Sequence, residues 1–493
     1  MDFLRTTAGR SPHRTALDDG ASVWSFAELD LTVDVLARAL VAAEIGVGRR
    51  VALLLGNGAS HVVALHAVPR AGCVLAPLNP RLTAPELATA LAVLDPALVL
   101  AGSSTRALAR QAVHEAGVSV PVLAVETLME GSGGSPVETE GVRSGPEREV
   151  PPREWAVLWT SGTGGRARGV ALTSENLHAS ALATRERLAL GPDDRWHLSL
   201  SPAHMGGLAL VTRAAIVGSA VVARGAFSAR DFNALVDDGQ VTHASLVPTM
   251  LQRVLEEREG RPFPPTLGCV LVGGARTAPA LVRRALGAGI PVALTYGMTE
   301  ASSQIATAPP AMVRENPETV GLPLGGVEVR VDGAGEILVR GPTVALGYVG
   351  SDRPLEDARG WLHTGDLGEV DAVGRLRVTG RRADRIVTGG VNVDPAEVED
   401  VLRLHGGVQD VSVVGVPDTE WGEVVAAAVV RRPGSYPDPA ELETLARARL
   451  STSKIPRRFV FVQDLPRNPN GKVDRGAVRG LVDDPPPLPP NLP

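Results

Sequence analysis

From residue 26 to about residue 128 the chain alternates between helix-period and strand-period segments, and this pattern narrows the choice of fold more than any other feature. FAELDLTVDVLARALVAAE (26–44) spaces its apolar residues at helical intervals. RVALLLGN (50–57) is a short apolar run ending in turn residues, and ALVLAG (97–102) is another. Such alternation predicts an α/β fold with substantial parallel sheet. It resumes at WAVLWT (155–160) and continues to about residue 300. Shorter strands follow (VEVRVD, EILVR, RLRVTG), and after GRRADR (380–385) a compact α/β segment begins. There PAEVEDVLRLH reads as a helix, and VSVVGV and VVAAAVVRR read as strands. Residues 131–154 are rich in Gly, Pro, Ser and Glu and are expected to be a mobile loop or linker. The tail 483–493, DDPPPLPPNLP, cannot hold a helix or a central strand and is expected to be disordered.

At about 150 residues per domain, 493 residues suggest two to four domains. A hydrophobic fraction of 44% is enough to bury large cores. Net charge −6 gives no electrostatic footprint for nucleic acid or an anionic membrane, so neither is an expected partner. Cys73 and Cys269 are too few for a disulfide framework and fit no metal-ligand spacing, which suits core thiols in a reducing compartment. The N-terminus, MDFLRTTAGR, lacks the apolar stretch of a signal peptide. The longest apolar segment (208–226) is broken by Arg213, Gly218 and Arg224, short of a clean membrane span. The expectation is a soluble cytoplasmic protein; a homodimer or higher homo-oligomer is compatible with it.

Chemistry enters at TSGTGGRARGV (160–170), which puts small and hydroxyl residues directly after a strand and basic residues after them. Glycines let backbone N–H groups converge on a phosphate, and Ser161 and Thr163 add hydroxyl donors. The loop is not a Walker A motif, because GxxxxGK[ST] is absent. Lysine is the second signal: the chain has two, Lys454 and Lys472, against 47 arginines. An ammonium is a compact point charge on a thin stem, and Lys472 in PRNPNGK could enter a narrow site closed to a guanidinium fork.

Further segments follow in order: VGGA (272–275), YGMTEASSQ (296–304), HTGDLG (363–368), GRRADRIVTGGVNVDPAEVE (380–399) and PRNPNGK (466–472). Together they resemble the adenylate-forming superfamily of acyl-CoA synthetases, luciferases and peptide-synthetase adenylation domains, over about residues 10 to 478. The resemblance implies a large N-terminal domain (1–380) of two α/β sheet subdomains plus a small β-barrel-like subdomain. It also implies a small mobile α+β C-terminal domain (381–482). ATP, Mg²⁺ and coenzyme A would be the cofactor and co-substrates.

Residue by residue, Thr160, Ser161, Gly162, Thr163, Gly164, Gly165 and Arg168 would surround the ATP β- and γ-phosphates. Gly273, Gly274 and Ala275 would lie against adenine, with Tyr296 and Gly297 on its other side. Thr299 would donate to the α-phosphate, Glu300 would hold Mg²⁺, and Asp366 would accept the ribose hydroxyls with Arg381 nearby. Lys472 would stabilise the charge that develops during adenylation. Rotation of the C-terminal domain about a hinge at Ala383 would then bring in the Gly389–Gly390 loop beside the pantetheine arm. The chain departs from the family pattern at Gly164, Ala167, Arg168 and Ala383.

For the acid, SPAHMGGLALVTRAA (201–215) is expected to line the acyl pocket, with His204 at its mouth. Arg213 on that apolar element suggests a counter-ion for a second carboxylate, and Ser302, Ser303 and Gln304 suggest polar contacts around it. Within the superfamily YGMTEASSQIAT (296–307) and TVGLPLGGVEV (319–329) are most similar to the o-succinylbenzoate–CoA ligases of menaquinone biosynthesis. A ligase for another aryl or short-chain acid is the alternative within the class. A free-standing adenylation enzyme that loads a carrier protein is the alternative outside it; no carrier motif follows residue 478. A catalytically dead homologue would not be expected to retain Glu300, Asp366, Arg381 and Lys472 together.

Overall fold

Strand Arg50–Leu54 pairs in parallel with Val74–Pro77 on one side and Leu98–Ala101 on the other, as the alternation predicts. The computed structural model describes residues 1–130, 154–160, 168–468 and 471–483. The expectations for most of the 131–154 linker, for Ser161, Gly162, Thr163, Gly164 and Gly165, and for the tail beyond residue 483 lie outside the described residues.

The helix read at 26–44 is Phe26–Ala42. A capping box starts it: the Ser25 hydroxyl accepts the Glu28 N–H, and the Glu28 carboxylate accepts the Ser25 N–H. Phe26, Leu29, Val33, Leu36 and Leu40 form its buried stripe at helical spacing. Fully burying one such side chain contributes about 1.5–3 kcal/mol, far more than the helix's intrinsic propensity can supply.

The chain divides into two compact units. The first comprises residues 1–330, 338–363 and 371–376. It holds a seven-stranded sheet in the order Gly347–Tyr348, Arg168–Leu172, Ala156–Thr160, Val74–Pro77, Arg50–Leu54, Leu98–Ala101, Val122–Ala124. A nine-stranded sheet runs in the order Leu322–Pro323, Ser303–Ala308, Val292–Met298, Cys269–Val272, His243–Leu246, Arg195–His197, Ala220–Val222, Thr15–Asp18, Val23–Ser25. Its central strands from Val292–Met298 to Ala220–Val222 are mutually parallel. The small β region gives a four-stranded sheet in the order Glu328–Val331, Glu336–Arg340, Leu362–Val370, Leu376–Arg381.

The second unit comprises residues 331–337, 364–370 and 377 onward. Strands Val408–Asp418 and Gly422–Arg431 form a long antiparallel hairpin, with Arg458–Val462 parallel to the second of them. Side chains alternate across this sheet as strand geometry requires. Val411, Val413, Val425 and Val429 pack against helices Pro395–Leu402 and Pro439–Arg447. Val414, Val416, Val424 and Val430 pack against helix Arg475–Asp483. No helix among the described residues is long and apolar enough to cross a membrane.

Candidate active site

In open α/β sheets, ligands bind beyond the carboxyl ends of parallel strands. In the nine-stranded sheet that edge carries the motifs. Strand Cys269–Val272 runs straight into Gly273, Gly274 and Ala275, and the neighbouring strand Val292–Met298 carries Tyr296 and Gly297 near its end. Thr299–Ala301 then forms a single 3₁₀ turn, and the chain returns antiparallel as Ser303–Ala308. The pairing shifts register between Tyr296 and Gly297, and the turn leaves Ser302 and Ser303 at φ +52° and +100°. Positive φ at two consecutive non-glycine residues is backbone strain, and it sits here beside the residues expected to do the chemistry.

Glu300 is buried, and the Tyr348 hydroxyl donates to its Oε1 at 3.0 Å. Burial, together with the Glu300 charge, pushes the Tyr348 phenol up to about 12, which keeps it protonated as a donor. The Arg168 guanidinium lies over the Tyr348 ring at 5.1 Å. Thr160 and Arg168 are register partners in an antiparallel pair, so both ends of the glycine-rich loop leave from one point. Tyr348 therefore links the end of that loop to the Glu300 carboxylate. Sequence reasoning missed it, because its two partners are distant in the chain and a lone Tyr in LGYVG carries no motif signal.

His204 precedes helix Met205–Val217 as its N-cap, and its Nε2 lies 3.3 Å from Asn79 Nδ2. This helix lies against strand Ser303–Ala308, so His204 and Ser303 belong to neighbouring elements. The Ser302 hydroxyl is fully buried and has no hydrogen-bond partner among the described residues.

Arg213 and Gln304 depart from expectation. Arg213 is buried, and its guanidinium stacks on the Trp196 ring at 4.6 Å. The Trp196 ring in turn meets that of His243 at 4.9 Å. Trp196, His243 and Cys269 are register neighbours at the amino ends of their strands. At about 3.3 Å per residue, Cys269 is about 13 Å from Gly273 at the carboxyl edge. Nine residues of helix also separate Arg213 from His204, about 13.5 Å of axis. Arg213 therefore sits at the end of the sheet opposite the motifs, not in an acyl pocket beside His204. No carboxylate lies within ion-pair distance of it among the described residues. Burial pushes its pKa down to about 10, so it remains a cation at neutral pH, held over the Trp196 ring.

The Gln304 amide is committed inside the fold. Its Nε2 donates to Thr184 Oγ1 at 3.1 Å, and its Oε1 accepts from Thr307 Oγ1 at 2.6 Å. It braces the hairpin from behind instead of facing a ligand. Arg213→Leu is expected to leave KM for the acid within about twofold of wild type, since the side chain stands about 13.5 Å along the helix axis from His204. Steady-state kinetics check this, and a tenfold rise would return Arg213 to the pocket.

In the second unit, Asp366 is buried and accepts a hydrogen bond from Arg381 Nε at 2.8 Å. Ala383 is exposed, in the 3₁₀ turn Arg382–Asp384, whose Asp384 carboxylate meets Arg475 Nε at 3.4 Å. Gly389 and Gly390 make the two-residue turn between Ile386–Thr388 and Val391–Val393. Both have positive φ, +54° and +79°, as in hairpins of type I′. Lys472 is exposed at the end of a narrow turn: its N–H donates to Asn468 Oδ1 at 3.0 Å, and its carbonyl accepts the Asn468 N–H at 2.8 Å. Lys454, by contrast, binds Glu397 through Nζ at 2.6 and 2.7 Å, a partly exposed pair worth little to stability.

Comparison with known proteins gives the family. The family model for AMP-binding enzymes matches residues 4–349, and that for the AMP-binding enzyme C-terminal domain matches residues 397–472. A 2-succinylbenzoate–CoA ligase of Geobacillus sp. (strain WCH70) is 33% identical over 503 residues, covering 98% of this chain and 97% of the relative. The o-succinylbenzoate CoA synthetase of Bacillus subtilis, solved with its acyl-adenylate intermediate, superposes with a TM-score of 0.87 at 32% identity. That match covers 97% of this chain and 98% of the other. The same enzyme with ATP and magnesium gives a TM-score of 0.86 at 32% identity, covering 98% of this chain and 99% of that one. With one family model spanning residues 4–349, another spanning 397–472, and a relative 33% identical over nearly the whole chain, the chain belongs to the AMP-binding enzyme family.

Proposed function

We propose that the chain is an ATP-dependent acid–CoA ligase that converts o-succinylbenzoate into o-succinylbenzoyl-CoA in menaquinone biosynthesis, acting in the cytoplasm. The observation that carries this reading is the strained hairpin from Tyr296 to Ser303, where an aromatic face, a hydroxyl and a buried carboxylate follow one another at the sheet's ligand edge. The full-length likeness to 2-succinylbenzoate–CoA ligases supports the choice of acid.

In the first half-reaction a substrate carboxylate oxygen attacks the α-phosphorus of ATP. The bond to the bridging oxygen breaks and pyrophosphate leaves with the electron pair. Thr299 donates to an α-phosphate oxygen, and Lys472 meets the charge that builds up between the carboxylate and the phosphate. Thr160 and Arg168, with the loop between them, hold the β- and γ-phosphates. Gly273, Gly274 and Ala275 face adenine with Tyr296 and Gly297 opposite, and Asp366 and Arg381 hold the ribose. Mg²⁺ suits a site with one protein carboxylate, because it is commonly held by one or two carboxylates plus substrate phosphates. Glu300 fits, since Tyr348 occupies only its Oε1. When bound, the ion neutralises phosphate charge.

In the second half-reaction the CoA sulfur attacks the acyl carbonyl and AMP departs. We assign 381–482 as the mobile domain, turning at Ala383 to withdraw Lys472 and bring the Gly389–Gly390 turn to the pantetheine arm. His204, Ser302 and Ser303 remain the candidates for acid recognition; of the two serines Ser303 is partly exposed, whereas Ser302 is fully buried.

Pyrophosphate release measured against a panel of carboxylic acids, with and without CoA, tests the proposal. The expected result is the highest kcat/KM with o-succinylbenzoate, and a thioester product only when CoA is present. A higher value with another aryl or short-chain acid would replace the substrate, and indifference to CoA would favour carrier-protein loading.

A further inference from the structure

The geometry points to Glu336 as the positioning residue of the ribose-binding turn, an inference that rests on the reading of Asp366 as the ribose ligand. Glu336 opens strand Glu336–Arg340 and is buried. Its two carboxylate oxygens are used separately. Oε1 accepts the Gly365 N–H at 2.9 Å, and Oε2 accepts from Arg382 Nη1 at 3.1 Å. The first of these bonds bears on Asp366. Gly365 has φ +71°, a left-handed conformation that removes its N–H from the regular strand ladder. A partly buried N–H displaced in this way is best served by another acceptor, and the Glu336 carboxylate supplies it.

The residue on the other side of Gly365 is tied down beside it. Thr364 Oγ1 donates to the Ile337 carbonyl at 2.7 Å and accepts the Asp366 N–H at 3.1 Å. Glu336 and Ile337, adjacent on one strand, therefore grip Thr364 and Gly365, and these set the direction in which Asp366 leaves the turn. The two following arginines complete the arrangement. Arg381 bonds Asp366 and Arg382 bonds Glu336, so two buried carboxylates are each met by one of two consecutive guanidinium groups. Arg382 is 63% exposed against 7% for Glu336, so its contribution is charge compensation for the buried acid and not a strong bond by itself. Glu336 touches no reacting atom; it acts through Gly365 on Asp366.

A ribose-specific readout separates positioning from general support. Wild-type enzyme is expected to prefer ATP over 2′,3′-dideoxy-ATP by tenfold or more in kcat/KM for pyrophosphate exchange, because only ATP offers hydroxyls to Asp366. Asp366→Ala should reduce that preference to under threefold. Glu336→Ala should do the same, with KM for the acid unchanged. Glu336→Gln, which keeps an oxygen for the Gly365 N–H, should retain most of the preference; it carries the test if the alanine variant fails to fold, since a preference lost in Gln as well would overturn the assignment to that one bond. If Asp366→Ala loses the preference and Glu336→Ala keeps it, the inference falls. If Asp366→Ala keeps it, the reading of Asp366 falls first and takes the inference with it.

Discussion

Replacing Lys472 with alanine is expected to slow acyl-adenylate formation by about 10²–10³-fold, the usual cost of one preorganised donor at a developing charge. Thioester formation from supplied acyl-adenylate and CoA should stay within about threefold of wild type. The fold should not suffer. The Lys472 main chain is held by Asn468 through bonds of 3.0 and 2.8 Å that an alanine keeps. Arginine is expected to rescue little, since a planar fork does not reproduce a compact point charge in a narrow site. The chain supplies its own control, because its only other lysine is engaged by Glu397 on the C-terminal unit's first helix. Lys454→Ala should leave both half-reactions unchanged. Pyrophosphate exchange and single-turnover thioesterification measure the two halves separately. Equal loss in both would mean that Lys472 serves binding common to the two steps and not adenylation alone.

Much of this site was legible in the residue order, and the parts that were not share a physical cause. Segments such as YGMTE and HTGD carry the family resemblance within a few residues, and it is that resemblance that puts Tyr296, Glu300 and Asp366 forward as candidates. The α/β alternation was equally readable, since helix and strand periods are local. Long-range polar partners were not. Tyr348 meets Glu300 across 48 residues and Glu336 meets Gly365 across 29, and neither pairing leaves a pattern in composition or spacing. Arg213 was misread for a related reason. Periodicity shows that a charged residue lies on an apolar helix, but not which end of a sheet that helix offers it to. Register settles the point: Trp196, His243 and Cys269 lie at the amino ends of their strands. Gln304 followed the same logic, a polar residue beside a motif whose amide is taken up by Thr307 on its own strand and Thr184 on helix Ser174–Leu188.

Gly297→Ala is expected to be the most damaging single-methyl substitution in the first unit. A Cβ at this position would stand 2.6 Å from the Ser303 carbonyl carbon and 2.9 Å from Gln304 Cα, with the Ser303 oxygen closer still. All three atoms belong to main chain, so no side chain can rotate away. The hairpin must open, and Ser302 and Ser303 are already at positive φ with little freedom left to absorb the shift. Overpacking of a core usually costs about 1–3 kcal/mol, and a collision with main chain belongs at or above the top of that range. The consequence for activity follows from what the hairpin carries: opening it displaces Tyr296 on one side and Thr299 and Glu300 on the other. Pyrophosphate exchange should fall by more than 10²-fold and the first thermal transition should drop by several degrees. Gly287→Ala makes the matched control, because a Cβ at that helix-terminal glycine meets nothing within 4 Å. It should be neutral or slightly stabilising, as removing a glycine from a helix usually is. A Gly297→Ala enzyme that melts with wild type and keeps its KM for ATP would show that the hairpin yields easily, and that the strain at Ser302 and Ser303 does not hold the nucleotide edge in place.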